Sequence, residues 1–185
     1  MATHETLQRR LQALMEAAGF NRSQAAYALG CTPSRLGDYL AGRTVPSAMV
    51  LLDLEEAAEQ ARNRTWMRAA DVIDAVATSD ETDPMWALRM LLQGRDQSLA
   101  LSSPARRAIW ATGSPQRRLA GPWKTLTHTL LREAANDGRP VPKWLAAPMP
   151  LREPWAPLPL RTGRPLDEGL ARLGIEINER DLVTA

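Results

Sequence analysis

Residues 21–46 read NRSQAAYALGCTPSRLGDYLAGRTVP, and the punctuation of this stretch decides the fold of the first third of the chain. Asn21 stands where it can cap a helix, with Gln24 three residues on, the spacing at which an amide reaches back to the cap. Ala25, Ala26 and Leu29 then fall on one face, and Gly30 ends the helix where left-handed backbone is tolerated. Only Cys31 intervenes before Thr32-Pro33, a cap followed by proline at the first helical position. The spacing predicts a second helix from about Pro33 to Ala41 that buries Leu36 and Leu40, four residues apart. Gly42-Arg43 ends it. The small Ala26 lets the two axes approach closely.

Two short helices joined this tightly make a helix-turn-helix unit. The pattern Ala26, Leu29-Gly30, Cys31, Thr32, Leu36 and Gly42-Arg43, with Pro46-Ser47 opening the next helix, resembles the repressor and Cro-type regulators of phages and bacteria. The resemblance covers about the first third of the chain. It implies sequence-specific binding of double-stranded DNA, with the helix that opens at Thr32 and Pro33 in the major groove. Ser34, Arg35, Gly37 and Asp38 then point away from the Leu36/Leu40 face toward the bases, and Arg35 is the one long donor suited to a guanine edge. Arg22 and Ser23, at the start of the preceding helix, and Arg43, just after Gly42, are placed for backbone phosphates. Arginines that merely face solvent are the bland alternative for Arg22 and Arg43. Such regulators bind as homodimers on inverted repeats, with the region after Ala58 expected to contribute to pairing.

Charge sets a limit on this reading. The chain of 185 residues carries a formal net charge of only +2, with 44% hydrophobic and 24% charged residues, an ordinary globular composition. Within residues 1–60, Arg9, Arg10, Arg22, Arg35 and Arg43 face a larger acidic set of Glu5, Glu16, Asp38, Asp53, Glu55, Glu56 and Glu59. Affinity for DNA must therefore come from a local cluster, and one copy alone should bind weakly.

Working outward, Leu7, Leu11, Leu14, Met15 and Ala18 predict an opening helix over 5–18 that Gly19 closes. Ser47 is placed to cap a helix whose stripe Leu51, Leu54 and Ala58 packs back on the pair. Trp66, Ala70, Ile73, Val76 and Ala77 predict a further helix after a break near Asn63. Residues 78–83, TSDETD, with Pro84 after them, form a polar acidic linker in which Asp80, Glu81 and Asp83 are solvated. The expected organisation is a helix-turn-helix domain over 1–77, a linker over 78–83, and a helical, proline-rich domain with an extended arm over 84–185. The fold class is mainly all-α.

Helices are expected from about Pro84, Pro104 and Pro122, the last and longest running to Asn136 with Trp123, Leu126, Leu130 and Leu131 on one side. Arg106, Arg107, Arg117, Arg118, Lys124, Arg132, Arg139 and Lys143 outnumber Glu133 and Asp137 between 104 and 143. A second nucleic-acid surface, a dock for an acidic protein, and plain solvated helix faces all remain open for this segment. Residues 140–165, PVPKWLAAPMPLREPWAPLPLRTGRP, exclude a long helix or central strand but suit an arm laid along a surface. Trp144 and Trp155 either staple that arm to its own domain or anchor it on a partner. A short helix over 166–173, a short strand at Ile175-Glu176-Ile177 and a turn capped by Asn178 close the chain.

The chemical inventory is thin. One cysteine leaves no intrachain disulfide and no cysteine-built zinc site, and suits a reducing cytoplasm. Cys31 reads as a small buried hydrophobe, His4 as a terminal residue and His128 as a lone packing or surface residue. No phosphate-cradling loop, paired metal ligands or nucleophile–histidine arrangement stands out, so no enzyme, cofactor or metal is expected, and no membrane span or signal peptide. The tryptophan-bearing helices, the PVPKWL segment, the proline-tryptophan arm and the closing LARLGIEINERDL also look similar to bacterial proteins encoded beside nucleotidyltransferase-like toxins. That resemblance implies an antitoxin that represses its own operon and holds its cognate toxin through the rear half. The alternatives are a regulator sensing a small molecule and an adaptor that uses the same front fold to hold protein.

Overall fold

The computed structural model describes residues 2–80 and 82–183, which are mainly helical. Among the described residues the α-helices are, in order, α1 (Ala2–Ala18), α2 (Arg22–Ala28), α3 (Pro33–Leu40), α4 (Ala48–Arg62), α5 (Ala69–Ser79), α6 (Pro84–Leu99), α7 (Pro104–Trp110), α8 (Gly121–Ala134) and α9 (Glu168–Ala171). A 3-10 turn, Glu179–Leu182, closes the described chain. Isolated bridges, Trp155 with Ile175 and Leu166 with Asn178, stand where a short strand was expected.

Contacts divide the chain into two units that are not consecutive in sequence. The first runs up to Trp66 and takes in Leu101–Gly113 and Gly138–Pro140; the second holds Met67–Ala100, Ser114–Asp137 and the chain from Val141 onward. The expected division at 78–83 differs from this. Those residues turn between α5 and α6, which pack on each other within the second unit. Glu81 lies outside the described residues.

In the first unit, Leu11, Leu14 and Met15 of α1, Ala25 and Ala26 of α2, Leu36 and Tyr39 of α3, and Leu54, Ala57 and Ala58 of α4 share one core. Ala108 and Ile109 of α7 complete it, although they lie far along the sequence. Trp110 is fully buried in the same unit, with the Arg139 guanidinium 5.2 Å from its ring centroid, a cation–π arrangement. The stripe expected at Trp66 is interrupted there. Trp66 precedes α5 and packs on the first unit's core instead. Ser47 is the N-cap of α4, but its side chain makes no capping bond.

The second unit is built around α8. This helix is shorter than the 16-residue α6, contrary to expectation, and it is buried on nearly every side rather than on one. The reason is the proline-rich arm, which covers the face that sequence alone leaves polar. Thr125 donates to the Met149 carbonyl at 3.3 Å, His128 Nδ1 lies 3.1 Å from the Ala146 oxygen, and Arg132 donates to the Leu145 oxygen at 2.8 Å. The prolines keep the arm extended, so its carbonyls are free to accept from α8.

A buried glycine sets the α5–α6 packing. A Cβ at Gly94 would run into the Val72 side chain, which is itself fully buried. Glycine inside a helix costs about 1 kcal/mol relative to alanine, and close packing here offsets that cost. Gly94→Val should destabilise the second unit by about 1–3 kcal/mol through overpacking, and Val72→Ala in the same chain should recover part of the loss. Urea titrations of the single and double variants check this; a stabilised Gly94→Val would contradict the packing.

Candidate nucleic-acid interface

The cap residues build the α2–turn–α3 segment as the sequence anticipates. Asn21 Oδ1 accepts from the Gln24 amide at 3.0 Å, and Gln24 Oε1 accepts from the Asn21 amide at 2.8 Å, a closed capping box. The Gln24 side chain does more than that. Buried, it also donates from Nε2 to the Ala111 carbonyl at 2.9 Å, which ties α2 to the end of α7. Gly30 sits at φ +61°; its amide bonds the Tyr27 oxygen and the Cys31 amide bonds the Ala26 oxygen. This is a Schellman ending, and the next residue but one already caps α3. Thr32 Oγ1 accepts from the Arg35 amide at 3.1 Å, with Pro33 at the first helical position.

α3 presents two faces. Leu36 is fully buried, and Tyr39 rather than Leu40 is the second buried anchor, with Leu40 half-buried beside the core. The shift from a four-residue to a three-residue spacing turns the outer face slightly. Thr32, Pro33, Ser34 and Arg35 are exposed on it, and Gly37 and Asp38 are half-buried. The buried Tyr39 ring extends its hydroxyl to the rim, where it accepts from Arg35 Nε at 2.8 Å. Arg35 is thereby held over α3 rather than left to sweep through solvent.

Arg22 and Ser23, both exposed, open α2 beside this face. Arg22 reaches across Gly37: its Nη1 lies 3.9 Å from where a Cβ at position 37 would stand. Among the described residues no acidic side chain pairs with Arg22. Arg43 is different, because its Nε and Nη2 both donate to Asp38 Oδ1, at 2.8 and 2.6 Å. The pair is well exposed, 67% for the arginine and 38% for the aspartate, so it contributes at most about 1 kcal/mol and yields easily to another anion. It also masks the one carboxylate on the outer face of α3. Sequence reading singled out both residues, but the contact between them emerges only from the turn made at Gly42.

The Cys31 thiol, half-buried in the turn, has its pKa pushed up by burial, against a smaller pull from the Arg35 charge. It stays protonated and unreactive at neutral pH.

The outer face of α3, the Arg22 and Arg43 flanks and the capped turn thus stand together on one compact support. Residues 7–82 match the family model of a helix-turn-helix domain. The match spans α1 to α5, and it carries the coarse reading, a helix-turn-helix domain of the kind DNA-binding regulators use. No curated protein and no solved structure matches the chain.

The remaining expected site residues lie in the second unit. Trp155 stacks edge-on against Trp123 of α8 at 5.3 Å between ring centroids, and its backbone bonds the Gly174 oxygen and the Glu176 amide. It staples the arm to its own unit. Trp144 is half-buried. The basic run from 104 to 143 is divided between the units: Arg106, Arg107 and Arg139 belong to the first, and the others to the second. Arg139 is buried and Arg107 donates to the Leu101 oxygen at 2.9 Å, so several of these charges are structural. His128 is buried, and its pKa is lowered chiefly by that burial, consistent with a packing residue. The His4 side chain lies outside the described residues. Among those residues no cluster of three His, Cys, Asp or Glu side chains is placed to hold a metal ion, and no helix is long and apolar enough to cross a membrane.

Proposed function

We propose that the chain is a cytoplasmic transcriptional repressor that binds an inverted-repeat operator as a homodimer and holds a toxin through its second unit, as an antitoxin does. The observation that carries DNA binding is the outer face of α3, where Gly37 leaves room for close approach and Arg35 stands oriented on Tyr39. Ser34 and Arg35 would meet base edges, with Asp38 beside them. Thr32 and Pro33 would place the helix start in the groove. Arg22, Ser23 and Arg43 would hold the phosphates on either side.

Masking of Asp38 by Arg43 gives this reading an asymmetric test. Removing Arg22 should weaken binding to all sequences alike and lower the salt slope by about one. Arg43→Ala should weaken binding further, because it also leaves the Asp38 carboxylate bare toward the phosphates. Asp38→Asn added to Arg43→Ala should recover part of that extra loss. Fluorescence anisotropy across a salt series checks all three. Equal losses for the two arginine variants, with no recovery by Asp38→Asn, would count against the clamp.

Pairing is supported by exposed apolar side chains on the first unit: Val45, Met49 and Leu52 are each more than half exposed. The stretch after Ala58, expected to contribute, instead turns Ala61 and Trp66 toward the core. Toxin holding is supported by the apolar exposure of the arm, where Met149 is 77% exposed. The exposed anchor would be Met149, with Trp144 beside it on the arm and Trp155 stacked on Trp123. Met149→Asp should abolish neutralisation of the product of the adjacent reading frame and leave the melting temperature unchanged. Trp155→Ala should lower the melting temperature. Neutralisation by Met149→Asp at the wild-type level would remove the arm from the toxin contact.

A further inference from the structure

The second unit contains a groove of about 850 Å³ along α6. Leu88 and Leu92 of α6 and Leu158 and Val183 opposite form its apolar lining. The wall across from α6 is held in place by polar bonds. Arg95 donates to the Leu182 oxygen at 2.8 Å, and the Asn178 side chain, 1% exposed, accepts from the Arg161 amide at 3.0 Å and donates to the Arg164 oxygen. The groove is therefore formed before anything enters it.

Charge at its rim has a sign. Arg89, Arg161 and Arg180 line it, against Asp96 and Asp181. Asp96 is taken up by Arg95 at 2.7 Å, and Asp181 lies 3.8 Å from Arg161. Among the described residues Arg180 has no acidic partner. An occupant with an apolar body finds the leucines and Val183, and an anionic group on that body finds guanidinium donors at the mouth.

The volume falls within the range of about 300–1,000 Å³ typical of small-molecule sites. An α-helix about 10 Å across would be gripped over only about two turns, leaving most of a partner helix outside. We propose that this groove binds a small amphipathic anion, an apolar chain or ring system bearing one carboxylate or phosphate. This stands whether or not the first unit binds DNA, since it rests on the second unit alone.

Calorimetric titration of the full chain with decanoate, decyl phosphate and decanol tests it. Both anions should bind saturably at one site per chain and decanol more weakly; the tighter anion identifies the head group. Removing two of the three rim arginines, Arg161→Ala with Arg180→Ala, should weaken the anions by about tenfold or more and leave decanol unchanged. Leu158→Trp, which fills the groove from its edge, should abolish binding of all three. The melting temperature of the double arginine variant should stay close to the wild type, since the Arg161 contact to Asn178 is through backbone and its 3.8 Å approach to the Asp181 carboxylate is loose. Absence of saturable binding by either anion, decanol binding as tightly as decanoate, or curves indifferent to both variants would overturn the proposal. So would an acidic amphipathic peptide that occupies the groove where decanoate does not.

Discussion

A fragment ending at residue 77 should fail to unfold cooperatively, and Ile109→Ala in the full chain should cost the first unit about 2–5 kcal/mol. Both results follow from one feature of the fold. Ala108 and Ile109 are buried in the core that carries α2 and α3, with Ile109 only 1% exposed. Cutting at residue 77 removes them and the Ala111 carbonyl that satisfies the buried Gln24 amide. The cut also uncovers the apolar face that Ile109 and Trp110 close, and burying one large aliphatic or aromatic side chain stabilises by about 1.5–3 kcal/mol. For a small unit whose total stability is on the order of 5–15 kcal/mol, these losses together are decisive. Denaturant titration of the fragment and of Ile109→Ala measures the effect. A fragment over 1–77 that melts cooperatively near the wild-type temperature would show that α7 is dispensable.

Arg35→Ala should weaken operator binding by roughly 10- to 100-fold and relax the preference at one base position in each half-site. The magnitude is large because this guanidinium is the only long donor on the outer face of α3 and is already oriented by the Tyr39 hydroxyl. Pre-orientation lowers the side-chain entropy lost on binding. Tyr39→Phe should therefore keep the fold, since the ring supplies the buried contact, while reducing specificity by less than Arg35→Ala does. Weakening that is equal for all sequences would move Arg35 from base reading to a phosphate role.

What was legible in the sequence is what is encoded locally. Asn21 with Gln24, Thr32 with Pro33, and the glycines at 30 and 42 each act within a few residues. They place α2 and α3 within a residue of the structure. The prolines at 84 and 104 mark helix starts for the same reason, and α8 opens one residue before Pro122. Misreadings arise where a distant segment decides. A four-residue spacing from Leu36 points to Leu40, yet Tyr39 buries its ring and keeps its hydroxyl at the rim, where Arg35 donates to it. No local signal says that α7 belongs to the first unit. A polar stripe of Thr125, His128 and Arg132 looks solvated until carbonyls of the arm are seen to meet it. Gly94 reads as a weak point in a helix, and only the approach of Val72 explains it. At the site, the α3 face and its flanks follow from local spacing, whereas the Arg43–Asp38 and Arg35–Tyr39 contacts depend on how the side chains fold over α3.

The central claim is that the exposed face of α3 reads a DNA sequence, and selection of the full chain against random double-stranded DNA tests it most directly. The account predicts enrichment of an inverted repeat whose half-sites lie about 34 Å apart, one helical turn, with one enriched base lost when selection is repeated with Arg35→Ala. A pool that stays random at physiological salt, or an enriched site that Arg35→Ala selects unchanged, would contradict it.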